Sequence, residues 1–108
     1  MSARAAKDCT DMAQVRAEID RLDAELVDLI AQRFGYVDRA WQLKADPGEA
    51  YVPWRIQQVI DKVKAHAKSK GLPPELTEAL WRQMIGWFVQ YEEEKLRRQL
   101  EDNGNKGA

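Results

Sequence analysis

Two cations, Arg33 and Lys44, are spaced so that both could bind the same anionic ligand. On one α-helix, a spacing of 11 positions corresponds to about 1100° of rotation, or about 20° more than three full turns. Both side chains would therefore point in nearly the same direction. Their positions along the helix then differ by about 16 Å. A single cation beside an apolar stripe is often a buried ion pair or a side chain that reaches solvent. Two such cations, with Asp28 and Asp38 off that face, favour a site for an anion.

Three further charged residues are candidates for the same site. Arg16 precedes Arg33 by 17 residues, about 25 Å along a helix, so the two cannot hold one small ligand within a single chain. In an antiparallel dimer, Arg16 of the partner subunit could approach Arg33. Arg55 opens a second helix, where a solvated arginine of the first turn is the more common role. Glu92 shares a helix face with apolar residues four and seven positions before it, although it also begins a three-glutamate run typical of a solvated surface.

Other kinds of catalytic machinery are missing from the sequence. It has one histidine, His66, and one cysteine, Cys9, and it contains no glycine-rich phosphate loop and no cluster with metal-ligand spacing. Several cations and one carboxylate remain. Such a set suits a reaction in which the protein positions a dianionic substrate and stabilises it electrostatically.

The stretch from Met12 to Lys44 must position these cations. Its apolar residues recur in steps of three and four, which predicts one helix face; they are Met12, Val15, Ile19, Leu22, Leu26 and Leu29. The same count then arrives at Arg33. One helix over this stretch would be about 50 Å long, whereas a compact chain of this size has a radius of gyration of only ~13 Å. The pattern therefore predicts a homodimer.

Proline and glycine mark the remaining elements. Thr10 or Asp11 can cap the first helix, with Gln14 placed to complete a capping box from Asp11. A loop over 45–52 precedes a short second helix, which starts at Pro53 and ends before Gly71. A third helix starts at Pro73-Pro74-Glu75 and runs to about Leu100. We predict an all-α fold with a long, a short and a long helix, a flexible arm over 1–8, a helical domain over 9–100 and a disordered tail over 101–108.

Composition restricts the function classes. The 108 residues are expected to form one domain, and their net charge of −1 argues against general nucleic-acid binding. No apolar run approaches the ~20 residues of a membrane span, and the first eight residues lack the apolar core of a signal peptide. We therefore expect a soluble, cytoplasmic protein with no membrane partner.

Several segments resemble the all-helical chorismate mutase family. The pattern R-x-x-I-D-x-[IL]-D followed by L-[IL]-x-x-R is present as Arg16–Asp23 and Leu29–Arg33, and it is fairly specific. The similarity continues through Lys44, Arg55 and Gly71-Leu72, so that it covers the chain from about Cys9 to Leu100. Asp8-Cys9-Thr10 and Trp87-Phe88 are most similar to the subgroup that includes isochorismate pyruvate lyase.

The resemblance implies an intertwined homodimer with two equivalent sites and no cofactor or metal. Each site would take one arginine across the interface, the partner's Arg16. Arg33 and Arg55 would hold the substrate carboxylates, and Lys44 would donate to the ether oxygen and to a carboxylate. Glu92 stands where the family has a glutamine or a glutamate that faces the same ether oxygen. In the mutases this arrangement rearranges chorismate to prephenate.

Two departures from the family pattern keep alternatives open. Ile56 stands where many mutases have an acid that binds the substrate hydroxyl, and the lyase subgroup shares this departure. The lyase, however, is expected to carry a glutamine at the position of Glu92. We favour chorismate mutase, with isochorismate pyruvate lyase as the alternative. A non-catalytic helical dimerisation module is a third interpretation. Arg33 on the apolar stripe opposes it, because an unpaired buried charge costs several kcal/mol.

Overall fold

Three α-helices make up most of the chain in a computed structural model that describes residues 3–106, with side chains as far as Gly104. They are α1 (Met12–Gln42), α2 (Pro53–Ser69) and α3 (Pro74–Lys106). Short 3₁₀ turns at Ala6–Asp8 and Pro47–Ala50 accompany them, and no strand occurs within the described range. This confirms the predicted all-α class and its long, short and long helices. Residues 1–36 and 37–108 form two compact units, which we describe separately.

The start of α1 in the first unit is capped by the predicted residues. The Asp11 carboxylate accepts the backbone N–H of Gln14 at 2.8 Å, which satisfies one of the amides that a helix start leaves unpaired. The Gln14 side-chain oxygen in turn accepts the backbone N–H of Thr10 at 2.7 Å. The reciprocal bond of the capping box is therefore made to Thr10 rather than to Asp11.

The apolar stripe of α1 is exposed in the single chain. Leu22, Leu26 and Leu29 are 46%, 54% and 59% exposed, and α1 contains no buried residue. A different part of the helix surface carries Arg21, which forms ion pairs with Glu18 at 2.9 Å and Glu25 at 2.8 Å. Burying one leucine contributes about 1.5–3 kcal/mol, so the stripe is a large apolar surface available for burial.

In the second unit, α2 packs against α3. The buried apolar side chains of the described residues are Ala50, Ile60, Ala67, Ile85, Phe88 and Leu96. An ionic bridge joins the two helices outside this core, because the Glu78 carboxylate pairs with Lys64 at 2.8 Å and with Arg82 at 2.7 Å. Apolar burial and this bridge together orient α3 against α2.

The end of α2 follows the glycine signal in the sequence. Gly71 has a positive φ of 74°, a conformation that glycine adopts without strain. The N–H of Leu72 bonds the carbonyl of Ala67 at 2.9 Å, and that of Gly71 bonds the carbonyl of Lys68 at 3.2 Å. These two bonds form a Schellman motif, which confirms the predicted helix end.

Two helix ends differ from the predictions. α1 ends at Gln42, before the predicted Lys44, in a 3₁₀-type turn where the N–H of Lys44 bonds the carbonyl of Trp41 at 3.1 Å. α3 continues to Lys106, so residues 101–106 are helical rather than disordered. No proline follows Pro74, and Glu94 pairs with Arg97 and Arg98 one turn onwards, which supports the helix near this end.

The predicted flexible arm is partly ordered. Residues Ala6–Asp8 form a 3₁₀ turn, and the backbone N–H of Arg4 donates to Glu18 at 3.0 Å. This bond is the largest cause that lowers the pKa of Glu18, followed by its bond with Arg21. The remaining ends of the predicted arm and tail, residues 1–2 and 107–108, lie outside the described residues. Among residues 3–106, no helix is long and apolar enough to cross a bilayer.

Candidate active site

An ion pair between Lys44 and Glu92 forms the centre of the candidate site. The Lys44 ammonium group donates to Glu92 Oε2 at 2.7 Å, and the side chains are 25% and 8% exposed. Glu92 lies on α3, on the same face as Ile85 and Phe88, both of which are buried. Lys44 lies just beyond the end of α1. The structure therefore brings together two of the five residues predicted for the site.

Burial makes this pair different from the surface ion pairs elsewhere in the chain. A carboxylate removed from water is costly unless a charged or hydrogen-bonding partner meets it, and Lys44 is that partner. A hydrogen bond to a charged group contributes about 1.5–3 kcal/mol net. The interpretation of the glutamate run as a solvated surface is wrong for Glu92, which is only 6% exposed.

The pair has unused hydrogen-bonding capacity. An ammonium group carries three donors, of which Glu92 accepts one, and a protonated carboxyl group can donate as well as accept. Because the two groups are 2.7 Å apart, one ligand oxygen could contact both. The arrangement can therefore stabilise negative charge that develops on a single oxygen atom during a reaction.

A second polar cluster, which the sequence analysis missed, lies beside this pair. Asp38 Oδ1 accepts the Tyr91 hydroxyl at 2.6 Å and the Trp41 indole N–H at 2.8 Å. The Tyr91 ring stacks on Trp87, with centroids 5.8 Å apart, and the Lys95 ammonium lies 5.5 Å from its centroid. We call Asp38, Trp41 and Tyr91 the Asp38 cluster. Asp38 and Tyr91 are 53 positions apart, so helical spacing could not have revealed their contact.

The ionisation of both hydrogen-bonded partners is shifted by this contact. The hydrogen bond from Tyr91 is the largest cause that lowers the pKa of Asp38, followed by the bond from Trp41. The same bond raises the pKa of Tyr91, and burial adds to that shift. Asp38 therefore remains an acceptor and Tyr91 a donor around neutral pH.

A groove of about 510 Å³ runs between the start of α2 and the face of α3 adjacent to Glu92. Ile56, Ile85 and Val89 form part of its apolar wall, while Gln57, Gln90 and Glu93 are among its polar lining residues. Ile56 is the residue that stands where many mutases have an acid. The groove wall at that position is therefore apolar, and no acid of α2 lines it within the described residues.

The other predicted site residues are spread over both compact units. Arg16 is exposed and Arg33 is half-buried, and both lie on α1 in the first unit. Arg55 is exposed in the first turn of α2, where its Nη1 donates to Gln58 at 2.7 Å. The roles of these three arginines remain predictions. Among the described residues, no group of three or more His, Cys, Asp or Glu side chains could hold a metal ion.

The all-helical architecture and the paired lysine and glutamate agree with a match to a known family. Residues 15–93 match the model of the family described as chorismate mutase type II. The matched stretch is well over half of the chain, so the chain belongs to that family. The membership confirms the predicted resemblance and supports the prediction of an enzyme, a chorismate mutase.

Two individual relatives refine this assignment. The chain is 31% identical over 83 residues to the isochorismate pyruvate lyase of Pseudomonas aeruginosa. The aligned stretch covers 77% of this chain and 82% of that protein. It is also 30% identical over 76 residues to the T-protein of Enterobacter agglomerans. That alignment covers 69% of this chain but only 20% of the T-protein. The chain is thus similar to proteins with different names, and its chemistry must be argued from its own residues.

Proposed function

We propose that this chain is a chorismate mutase, which rearranges chorismate to prephenate without a cofactor or metal. The observation that carries the proposal is the buried Lys44–Glu92 pair, in a chain that belongs to the chorismate mutase type II family. During the rearrangement the ether C–O bond breaks and a C–C bond forms within the same molecule. No proton or electron pair leaves the substrate, so positioning and charge stabilisation are the available means of catalysis.

Each charged residue has a defined role in this proposal. The ether oxygen gains negative charge as its bond breaks, and Lys44 donates a hydrogen bond to it. Arg33 and Arg55 hold the substrate carboxylates, with help from the partner subunit's Arg16. Glu92 faces the same ether oxygen and donates to it when its carboxyl group is protonated. The support for Arg33 and Arg55 is the family pattern.

We expect the functional form to be a homodimer. The motivation is the exposed stripe of α1, where Leu22, Leu26 and Leu29 are about half exposed. Sedimentation equilibrium should give twice the chain mass of 12.4 kDa, and dissociation should accompany unfolding. A folded monomer at micromolar concentration would contradict this expectation.

A pair of variants tests whether the stripe forms the dimer interface. Leu26→Glu places a charge on the stripe and should dissociate or unfold the dimer, because the carboxylate would be buried without a partner. Ala24→Glu places the same charge on the opposite side of the helix and should leave the dimer intact. Equal behaviour of the two variants in sedimentation would show that the stripe is not the interface.

The role of Glu92 predicts different effects for two substitutions. A carboxylate repels the negative charge that develops on the ether oxygen, whereas the amide of Glu92→Gln is a permanent donor to it. Glu92→Gln should therefore keep mutase kcat/KM within about 10-fold of the wild-type value, and Glu92→Ala, which removes the polar atoms, should lower it further. Equal losses in the two variants, on protein of verified stability, would show that Glu92 is not the donor.

Isochorismate pyruvate lyase is the second candidate function. It is favoured by the apolar residue Ile56 in the groove and by the 31% identity to a relative of that name. Parallel assays with chorismate and isochorismate separate the candidates. Prephenate formed from chorismate supports the mutase, salicylate and pyruvate formed from isochorismate support the lyase, and turnover of neither would favour a non-catalytic dimerisation module.

A further inference from the structure

We infer that Asp38 and Tyr91 are positioning residues that hold Lys44 against Glu92. The catalytic consequence of this inference rests on the proposed function, whereas its structural content does not. All four residues belong to the second compact unit, and the inference uses only contacts within it.

The contacts around these residues form a closed circuit between the end of α1 and α3. The Tyr91 hydroxyl and the Trp41 indole N–H both donate to Asp38 Oδ1, at 2.6 and 2.8 Å. The carbonyl of Trp41 accepts the backbone N–H of Lys44 at 3.1 Å. The Lys44 ammonium group then donates to Glu92, the residue that follows Tyr91 on α3. Two adjacent residues of α3 thus make polar bonds to the last turns of α1 and to the residue just beyond its end.

Lys44 requires such support because of where it lies. The regular helix has ended at Gln42, so the backbone at Lys44 is held by the 3₁₀-type bond to the Trp41 carbonyl rather than by α-helical hydrogen bonds. Its side chain is a flexible four-carbon stem, and holding the ammonium group in one place costs conformational entropy. Asp38, by contrast, lies within the last turns of α1. A bond from Tyr91 to Asp38 therefore fixes the distance between this end of α1 and α3 through a residue other than Lys44.

The Tyr91 side chain is itself held by its neighbours. Its ring stacks on Trp87 with an interplanar angle of 12°, and the Lys95 ammonium group lies 5.5 Å from the ring centroid. Their hydrogen bond is the largest cause of the lowered pKa of Asp38 and of the raised pKa of Tyr91, so it favours the ionised acceptor and the protonated donor that the bond requires. A hydroxyl with a fixed direction is what a positioning role demands.

A double-mutant cycle on stability tests the inference without any substrate. Tyr91→Phe removes the hydroxyl but keeps the ring, and Lys44→Met removes the ammonium group but keeps an unbranched side chain. If Tyr91 positions Lys44, the combined effect on the unfolding equilibrium constant should differ from the product of the single effects by about 3-fold or more. If Lys44→Met does not fold, Glu92→Gln replaces it in the cycle.

The chain offers a matched control for this cycle. Lys64 of α2 forms an ion pair of 2.8 Å with Glu78. Glu78 lies on α3, the helix that carries Tyr91, but the pair is away from the Asp38 cluster. Tyr91→Phe combined with Lys64→Met should therefore be additive. Additivity in the Lys44 cycle as well would overturn the inference, and so would equal coupling in both cycles.

Kinetics test the catalytic consequence. Tyr91→Phe should lower kcat for chorismate about 10-fold and leave KM within about 2-fold, because the reacting groups are misplaced while the carboxylate contacts persist. Asp38→Asn, which keeps an acceptor oxygen, should lose less activity than Asp38→Ala. Lys64→Met breaks an ion pair with Glu78 that lies away from the groove and from the Asp38 cluster, and it should leave both parameters within about 2-fold.

These results separate the inference from the proposed function. Coupling in the Lys44 cycle together with a lower kcat supports the inference, whereas coupling with an unchanged kcat overturns it. If the wild-type protein acts only on isochorismate, the same kcat comparison is made on that substrate. Turnover of neither substrate rejects the proposed function, and the stability cycles alone then decide whether Tyr91 holds Lys44.

Discussion

Lys44→Met should lower kcat/KM for chorismate by about 10³-fold while the helical content persists. Removal of one donor to a developing oxyanion costs about 10²–10³-fold in turnover, and Lys44 is also proposed to bind a substrate carboxylate. The low exposure of Glu92, 8% for its side chain, means that little water is available to replace the missing ammonium group. Steady-state kinetics with chorismate, on protein whose dimeric state has been verified, measure the loss.

The ion pair between Lys64 of α2 and Glu78 of α3 serves as the control for this experiment. Lys64→Met breaks a lysine–glutamate pair of nearly equal length, 2.8 Å against 2.7 Å, and that pair also anchors α3. It should reduce stability slightly and leave kcat/KM within about 2-fold, because a partly exposed pair contributes about 1 kcal/mol or less. A loss of less than about 10-fold in Lys44→Met, or equal losses in the two variants, would remove Lys44 from the proposed catalytic role.

Arg16→Ala and Arg33→Ala should each lower activity severely, and mixing the two inactive proteins should restore it. If Arg16 serves the other subunit's site, a heterodimer of the two variants has one site with both defects and one site with none. Random exchange of equal amounts makes half of the dimers mixed, so about a quarter of all sites should be intact. The expected result is about a quarter of the wild-type kcat, with an unchanged KM, after subunit exchange has been demonstrated.

A second mixture provides the matched control for this complementation. Arg33 and Lys44 are proposed to serve the site of their own chain, so a heterodimer of Arg33→Ala and Lys44→Met has one defect in each site. That mixture should stay inactive under the same exchange conditions. Recovery in both mixtures would place Lys44 across the interface, and recovery in neither would refute the cross-chain role of Arg16.

Local patterns were sufficient to predict the helices. The three- and four-residue spacing of apolar side chains predicted α1, because the helix period repeats within a few residues. Asp11, Pro53 and Gly71 marked helix ends because each acts through bonds or dihedral angles of its immediate neighbours, such as the positive φ of 74° at Gly71. The end of α3 was predicted too early because glycine weakens a helix only by about 1 kcal/mol, which ion pairs between successive turns can offset.

The site itself depended on packing between distant segments. The three consecutive glutamates that begin at Glu92 look alike in the sequence, but the fold buries the first of them and places it 2.7 Å from Lys44. Asp38 was recognised only as an acid off the cationic face, and its bond to Tyr91 joins residues 53 positions apart. Helix periodicity predicts which residues share a face of one helix, and it contains no information about which residue of another helix that face meets. That pairing is decided when α2 and α3 bury their apolar sides and the end of α1 reaches α3, so only the tertiary structure could assign a partner to either carboxylate.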